Sequence, residues 1–142
     1  MIKEHHLFEK KDFIKLIEFS EREYRPYDPG RYLSNLIYQF KGDKFSIEFI
    51  ELTYTTLISW NMNSRGAKLV AFEDFYQSII EQKILIRKLE SLDITVNLDY
   101  SEFKNVLTKL FRELQIVHPP RPILVSISKL LHFFAPTLIM PI

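Results

Sequence analysis

Two prolines bound the most apolar helix-like segment of the chain. The segment from Pro122 to Pro136 reads PILVSISKLLHFFAP, and its apolar residues recur at helical spacing. Proline suits the first position of a helix and cannot continue one, so residues 123–135 are predicted to form a single helix. We expect the preceding segments to pack around this helix, because each of them has one apolar face.

The preceding segments are typical of amphipathic helices joined by short polar connections. Apolar residues recur at spacings of three and four in five stretches: 9–24, 28–42, 43–60, 72–89 and 99–114. Residues 53–56 favour a strand by composition, but the helical spacing around them runs too long for a typical strand. We therefore predict an all-α fold, a single-domain helical bundle over residues 1–142, with about six helices around the apolar C-terminal helix.

Local signals predict where several of these helices begin, end and bury their side chains. In the first helix, Leu16 and Ile17 belong to the predicted buried stripe. Pro29 after Asp28 is expected to begin the second helix, Gly42 to end it in a left-handed conformation, and Asp43 to cap the third. Asp99, followed three residues later by Glu102, indicates a capping box.

Composition excludes several classes of function. The chain has 142 residues with 46% hydrophobic and 26% charged, which is typical of a globular protein. Its net charge of +1 provides no overall field for a polyanion, so any nucleic-acid site has to be a local patch. The absence of cysteine excludes disulfides and is compatible with a reducing compartment, so we predict a cytoplasmic protein.

Sequence motifs for cofactors and membranes are missing. The three glycines lie far apart, which excludes a P-loop and the dinucleotide-binding fingerprint. The N-terminus has no apolar signal core, and the apolar run 130–142 is shorter than the about 20 residues that a membrane helix needs. His5 and His6 have no matching ligand spacing elsewhere, so neither a metal nor another cofactor is predicted.

The C-terminal helix also carries the first candidate binding surface. Ser128 and His132 lie one helical turn apart, and Lys129 is three residues from His132. One interpretation is a polar cluster in a cleft, with an imidazole that can exchange protons and an ammonium group that contacts anions. The alternative is a buried histidine with satisfied hydrogen bonds, a serine bonded to its own helix, and a solvated lysine.

A second candidate is the connection from Trp60 to Gly66, which contains Trp60 and Arg65, whereas Arg121 flanks prolines in a later linker and is expected to be exposed. Tryptophan and arginine are the side chains that anchor interfaces and stack on bases. The alternative is a tryptophan that closes the core and arginines that solvate loops. No orienting carboxylate or oxyanion site accompanies Ser128 and His132, so no catalytic residue is predicted and we expect a protein without enzymatic activity.

Two spaced motifs resemble a family of uncharacterised prokaryotic proteins. They are W-x-M-x-x-R-G from Trp60 and S-K-x-L-H-x-x-x-P-x-x-x-P-I from Ser128. The resemblance covers roughly the chain from Trp60 onward, and it implies no activity. In the relatives the chain continues past the final Pro-Ile with an acidic residue, a position that this sequence does not contain.

The lysine-bearing helix followed by a proline turn is also faintly similar to the core of helix-hairpin-helix DNA glycosylases. This sequence departs from that pattern because it lacks both the glycine hairpin and the catalytic aspartate, so glycosylase activity is not expected.

The end of the chain carries large apolar side chains that expose a large apolar surface unless something covers it: Phe133, Phe134, Leu138, Ile139, Met140 and Ile142. Three explanations are open: the tail folds back, a second copy buries it, or the chain is shorter than its relatives. The first functional hypothesis is therefore a non-enzymatic helical interaction module, which forms a homo-oligomer through the apolar C-terminus. The alternatives are a nucleic-acid-associated protein using Lys129, Arg65 and Arg121, and a small-ligand binder or enzyme using the Lys129/His132 face.

Overall fold

Helices dominate the structure, a computed structural model that describes residues 14–19, 29–60, 68–92, 99–119 and 123–141. Within these ranges there are seven helices: α1 (14–19), α2 (Pro29–Gln39), α3 (Ile47–Ser59), α4 (Phe72–Glu81), α5 (Lys83–Ser91), α6 (Tyr100–Glu113) and α7 (Ile123–Phe134). Outside the helices, the described residues contain a single isolated β-bridge and no longer strand. The prediction of an all-α fold is confirmed.

The C-terminal helix α7 lies at the centre of the packing. Helices α3, α5 and α6 all contact it. Seven of its residues are buried: Ser126, Ile127, Ser128, Leu130, Leu131, Phe133 and Phe134. Leu131 and Phe134 have 0% and 2% of their surface exposed. Other residues therefore pack against both of these side chains, as predicted.

The segment after α7 folds back onto the molecule. The main-chain N–H of Ile139 donates to the oxygen of Ala135 at 3.0 Å, and Ile139 is buried. Leu138 packs against the core from a partly buried position, whereas Met140 is 79% exposed. Of the three explanations for the apolar tail, the described residues show the first, because the chain itself covers most of it.

Lys44 fastens the C-terminal end of α7 to two other parts of the fold. Its Nζ donates to the main-chain oxygen of Phe134 at 2.7 Å and lies 3.0 Å from Oε1 of Glu90 in α5. The last carbonyl groups of a helix have no partner within the helix and carry partial negative charge, so a lysine there is favourable. This contact joins the α2–α3 connection, α5 and α7.

The helix starts agree with the sequence signals in two places and differ in one. Helix α2 begins at Pro29, and Oδ1 of Asp99 accepts the N–H groups of Ser101 and Glu102, as expected at the start of α6. The predicted cap at Asp43 is wrong, because Ser46 caps α3 and accepts the N–H of Phe49. Asp43 instead accepts the N–H of Phe45 in the turn before the helix.

Gly42 does not have the predicted left-handed conformation. Helix α2 has already ended at Gln39, and Gly42 lies in the connection that follows. A Cβ atom at this position would lie 2.8 Å from the ring of Phe40, which is too close for a carbon contact. The missing Cβ lets the Phe40 ring lie close to Gly42, and a larger residue here would require that ring to shift.

The stretch predicted as one helix from Phe72 to Leu89 is two helices. Gln82 separates α4 from α5 with φ −95° and ψ 8°, and its N–H bonds to carbonyl groups of α4. The buried residues Ile79, Ile86 and Leu89 keep helical spacing across the break. The apolar pattern therefore continues although the helix does not, which explains the difference from the prediction.

Helix α1 does not bury the stripe that was predicted for it. All six of its residues are exposed, with Leu16 at 53% and Ile17 at 59%. Phe13 and Tyr24, the other members of that stripe, lie outside the described residues. The prediction is wrong for Leu16 and Ile17, because the core is formed by other elements: α2, α3, α4, α5, α6, α7 and the segments beside them.

An extended segment, residues 114–119, follows α6 and pairs with residues 68–70. Leu69 and Val117 form the antiparallel bridge, and the chain around both is buried. This pairing carries the chain from the end of α6 toward the start of α7. None of the described helices has the length and apolar character that crossing a membrane requires.

Candidate functional site

Trp60 and Lys129, two of the candidate residues, are in contact. Trp60 ends α3 and its ring centroid lies 5.2 Å from that of Phe133 in α7. Nζ of Lys129 lies 5.7 Å from the Trp60 ring, within the range of a cation–π contact. Trp60 thus covers the edge of the core between α3 and α7, in agreement with the structural interpretation of this residue.

His132 is held by hydrogen bonds on both ring nitrogens. Nδ1 is 2.6 Å from the main-chain oxygen of Ile139, and Nε2 is 2.7 Å from Oη of Tyr38. A carbonyl oxygen can only accept, so Nδ1 carries the proton, and the neutral ring accepts the phenol hydrogen at Nε2. Partial burial raises the pKa of Tyr38, which keeps this phenol protonated and able to donate at neutral pH.

This arrangement gives His132 a structural task. Its Nδ1–H bond holds the returning tail at Ile139, and its Nε2 bond joins α7 to α2 through Tyr38. An imidazole that acts as a general base needs a nitrogen within reach of the substrate's proton. Tyr38 occupies that nitrogen here, so proton transfer by His132 would require the phenol to move.

Ser128 is buried and turned toward its own helix. Its Oγ donates to the main-chain oxygen of Val125 at 3.0 Å, the local bond that serines often make inside helices. This bond is the one expected under the structural interpretation of Ser128. Arg65 and Arg121 lie outside the described residues, so the basic patch predicted from them and Lys129 stays a prediction.

A groove that the sequence did not indicate lies between α4 and the end of α6. Its volume is about 720 Å³, within the range of pockets that hold small ligands. One wall is a single face of α4, the other is the extended segment 114–119, and Ile123 at the start of α7 borders it. The groove contains none of Trp60, Lys129 and His132.

Charged and polar side chains surround this groove. Asp74 and Glu81 lie on α4, and Arg112, Glu113 and His118 lie on the opposite side. Apolar side chains also contribute to its lining: Val70, Phe111, Leu114, Val117 and Ile123. In the described part of the chain no group of three or more His, Cys, Asp or Glu is arranged to hold a metal ion.

The sequence contained one signal for the groove. Asp74, Gln77, Ser78 and Glu81 recur at spacings of three and four residues, so they share a face of α4. Such a polar face is the normal solvated side of an amphipathic helix, which is why it did not indicate a site. This polar face of α4 lines a groove only because the extended segment 114–119 lies opposite it. No sequence pattern predicted where that segment runs.

Comparison with known proteins provides no relative. No protein-family model, no curated protein and no solved structure matches this chain. The resemblance to an uncharacterised prokaryotic family therefore stays a prediction, and proposals about function depend on the geometry described above.

Proposed function

We propose that this protein is a non-enzymatic helical interaction module that associates with a second copy of itself. The observation that carries the proposal is the exposure of helix α1. Four of its six residues are large and apolar, and each of them is 45–59% exposed: Ile14, Leu16, Ile17 and Phe19. Large apolar side chains exposed together on one short element are a mark of interaction sites in proteins.

Helix α2 has exposed large apolar side chains of its own. Tyr32 is 64% exposed and Leu36 is 36% exposed, and the two side chains lie one helical turn apart. Both point away from the side of α2 that buries Ser34 and Ile37. We name α1 together with Tyr32 and Leu36 the N-terminal apolar surface, and we propose it as the interface.

Charge supports a second copy as the partner. The formal net charge of the whole chain is +1, so two copies repel each other only weakly. Helix α1 carries Lys15 and Glu18 beside its apolar residues. In a twofold interface Lys15 of one copy can face Glu18 of the other copy, since a twofold axis places the same surface on both sides.

The C-terminal segment is a weaker candidate for the interface than the sequence suggested. The chain covers Phe133, Phe134 and Ile139, and Met140 is the exposed large apolar side chain of that segment. A non-enzymatic role is supported by the hydrogen bonds of Ser128 and His132, which are directed to other groups of the chain.

Sedimentation equilibrium over a wide range of protein concentrations tests this proposal. We expect the wild-type chain to shift from monomer to dimer as its concentration rises, and the variant Leu16→Gln/Ile17→Gln to remain monomeric. Glutamine keeps good helix propensity while removing the apolar surface. The matched control is Ile84→Gln/Met140→Gln, whose positions are 83% and 79% exposed and lie outside the proposed interface.

The control variant should dimerise as the wild type does. A wild-type chain that stays monomeric at every concentration would refute self-association. A dimer that persists unchanged in the Leu16→Gln/Ile17→Gln variant would refute the assignment of the interface to α1.

A further inference from the structure

The main-chain pairing of the extended segment 114–119 leaves the N–H and C=O of Val117 directed away from the paired residues. The N–H of Val70 donates to the oxygen of Ile116 at 3.2 Å, and the N–H of His118 donates to the oxygen of Lys68 at 2.9 Å. These two bonds flank the facing residues Leu69 and Val117. In an antiparallel pair, a residue flanked in this way directs its own N–H and C=O away from the partner strand.

Val117 therefore directs its main-chain groups to the side opposite residues 68–70. The N–H of Gln115, two residues earlier, points to the same side and donates to Oγ of Ser78 at 2.9 Å. Ser78 and Val117 both line the groove described above. Within the described part of the chain, the N–H and C=O of Val117 have no hydrogen-bond partner.

The unpaired main-chain N–H and C=O of Val117 need a hydrogen-bond partner. Val117 is only 6% exposed, and buried main-chain N–H groups in native proteins are almost always paired with protein or water. An extended peptide can supply that pair by adding itself as a strand to an open edge. The groove beside Val117 is open enough to admit one, at about 720 Å³.

The opposite wall indicates the side chains that such a peptide would carry. Asp74 and Glu81 both line the groove from one face of α4, seven residues apart, which corresponds to about 10.5 Å along a helix. Among the described residues of the lining, Glu113 adds a third carboxylate, and Arg112 is the one arginine. The excess of carboxylates favours a basic ligand, and the apolar lining favours neighbouring apolar side chains.

From these observations we infer that the groove binds an extended peptide segment of another protein. Its main chain pairs with Val117, and two basic side chains, Lys or Arg, lie near Asp74 and Glu81. This inference is independent of self-association, because the groove contains no residue of the N-terminal apolar surface.

Selection from a phage-displayed library of random short peptides provides the probe. The wild-type protein is the bait, and a groove variant with reversed charge, Asp74→Arg/Glu81→Arg, removes peptides that bind elsewhere. We expect enriched peptides to contain Lys or Arg beside apolar residues. Failure to enrich any peptide over the reversed-charge variant would overturn the inference.

An enriched peptide, synthesised with a fluorescent label, then tests the two walls separately. Asp74→Asn/Glu81→Gln should weaken its binding about fivefold to tenfold, because two partly exposed ion pairs are lost. The matched control Glu51→Gln/Glu73→Gln removes two exposed carboxylates outside the groove and should bind as the wild type does. Equal weakening in both variants would contradict a peptide placed in the groove.

The main-chain part of the inference has its own measurement. In a ¹H–¹⁵N NMR titration, the Val117 amide should shift, and its hydrogen exchange should slow, when the selected peptide is added. A bound peptide that leaves the Val117 amide unchanged would overturn strand addition. So would a single-stranded oligonucleotide that displaces the peptide from the groove, because the site would then recognise nucleic acid.

Discussion

Tyr54 illustrates how one polar atom positions a segment of this fold. Its phenol O–H donates to the main-chain oxygen of Val70 at 2.9 Å, which joins α3 to the segment that pairs with residues 114–119. Its ring lies 5.0 Å from the ring of Phe75 in α4. Burial raises the pKa of Tyr54 above 10.0, and the negative charge of Glu73 raises it further.

Tyr54 should therefore make the stability of the protein depend on pH in alkaline solution. A raised pKa in the folded state means that the folded chain holds the phenol proton more tightly than the unfolded chain. This contribution is fully present below about pH 10 and is lost as the pH rises through the folded pKa. The free energy of unfolding from urea titrations at several pH values measures it.

Tyr54→Phe should lower the unfolding free energy by about 1 kcal/mol at neutral pH, where the hydrogen bond to Val70 is lost. The same variant should lose less stability than the wild type above about pH 10. Tyr100→Phe is the control, since Tyr100 is 70% exposed. An alkaline decline of equal size in Tyr54→Phe and wild type would show that Tyr54 does not cause it.

Helix α7 and helix α1 differ in what they contribute, although the sequence predicted a buried stripe for both. Leu131→Ala in α7 should reduce the unfolding free energy by about 2–5 kcal/mol, because Leu131 is fully buried and its truncation leaves a cavity. Leu16→Ala in α1 should change it by less than about 0.5 kcal/mol in the monomer, since Leu16 is 53% exposed. Urea denaturation at low protein concentration compares the two.

The two variants delete the same atoms, so only the environment of the leucine differs. If Leu16→Ala cost as much stability as Leu131→Ala, α1 would be part of the core, and its proposed role as an interface would be wrong.

Elements with strong local signals were predictable from the sequence. Proline at the start of α2, the Asp99 cap of α6 and the apolar pattern of α7 each express a property of one short segment. The break at Gln82 and the bridge between Leu69 and Val117 were not, because both depend on how distant segments meet. Periodicity also does not distinguish an apolar stripe that is buried in the core from one that stays exposed for a partner. Leu16 and Ile17 belong to a stripe of the second kind.

The candidate site was predictable only in part, for the same reason. The sequence singled out Trp60, Lys129 and His132, and two of them, Trp60 and Lys129, are in contact. It could not show that His132 holds the tail at Ile139 through Nδ1, since that bond depends on the tail's return. The groove beside Val117 arises from a main-chain pairing that side-chain patterns do not encode.

At the scale of the whole molecule, the chain has a core built on α7, to which α2 contributes Ile37, and a proposed interface formed by α1 with Tyr32 and Leu36 of α2. The core helix contacts α3, α5 and α6 and is held at its end by Lys44. The N-terminal apolar surface lies exposed on the single chain. These two parts should therefore respond differently to the concentration of the protein.

Hydrogen exchange measured at low and at high protein concentration tests this division most directly. We predict that the amides of α7 exchange slowest at both concentrations, because they open only with global unfolding. The amides of α1 should exchange fast at low concentration and slow down at high concentration, when a second copy covers them. Amides of α1 that are as protected as those of α7 at every concentration, or amides of α7 that exchange as fast as those of α1, would contradict the account.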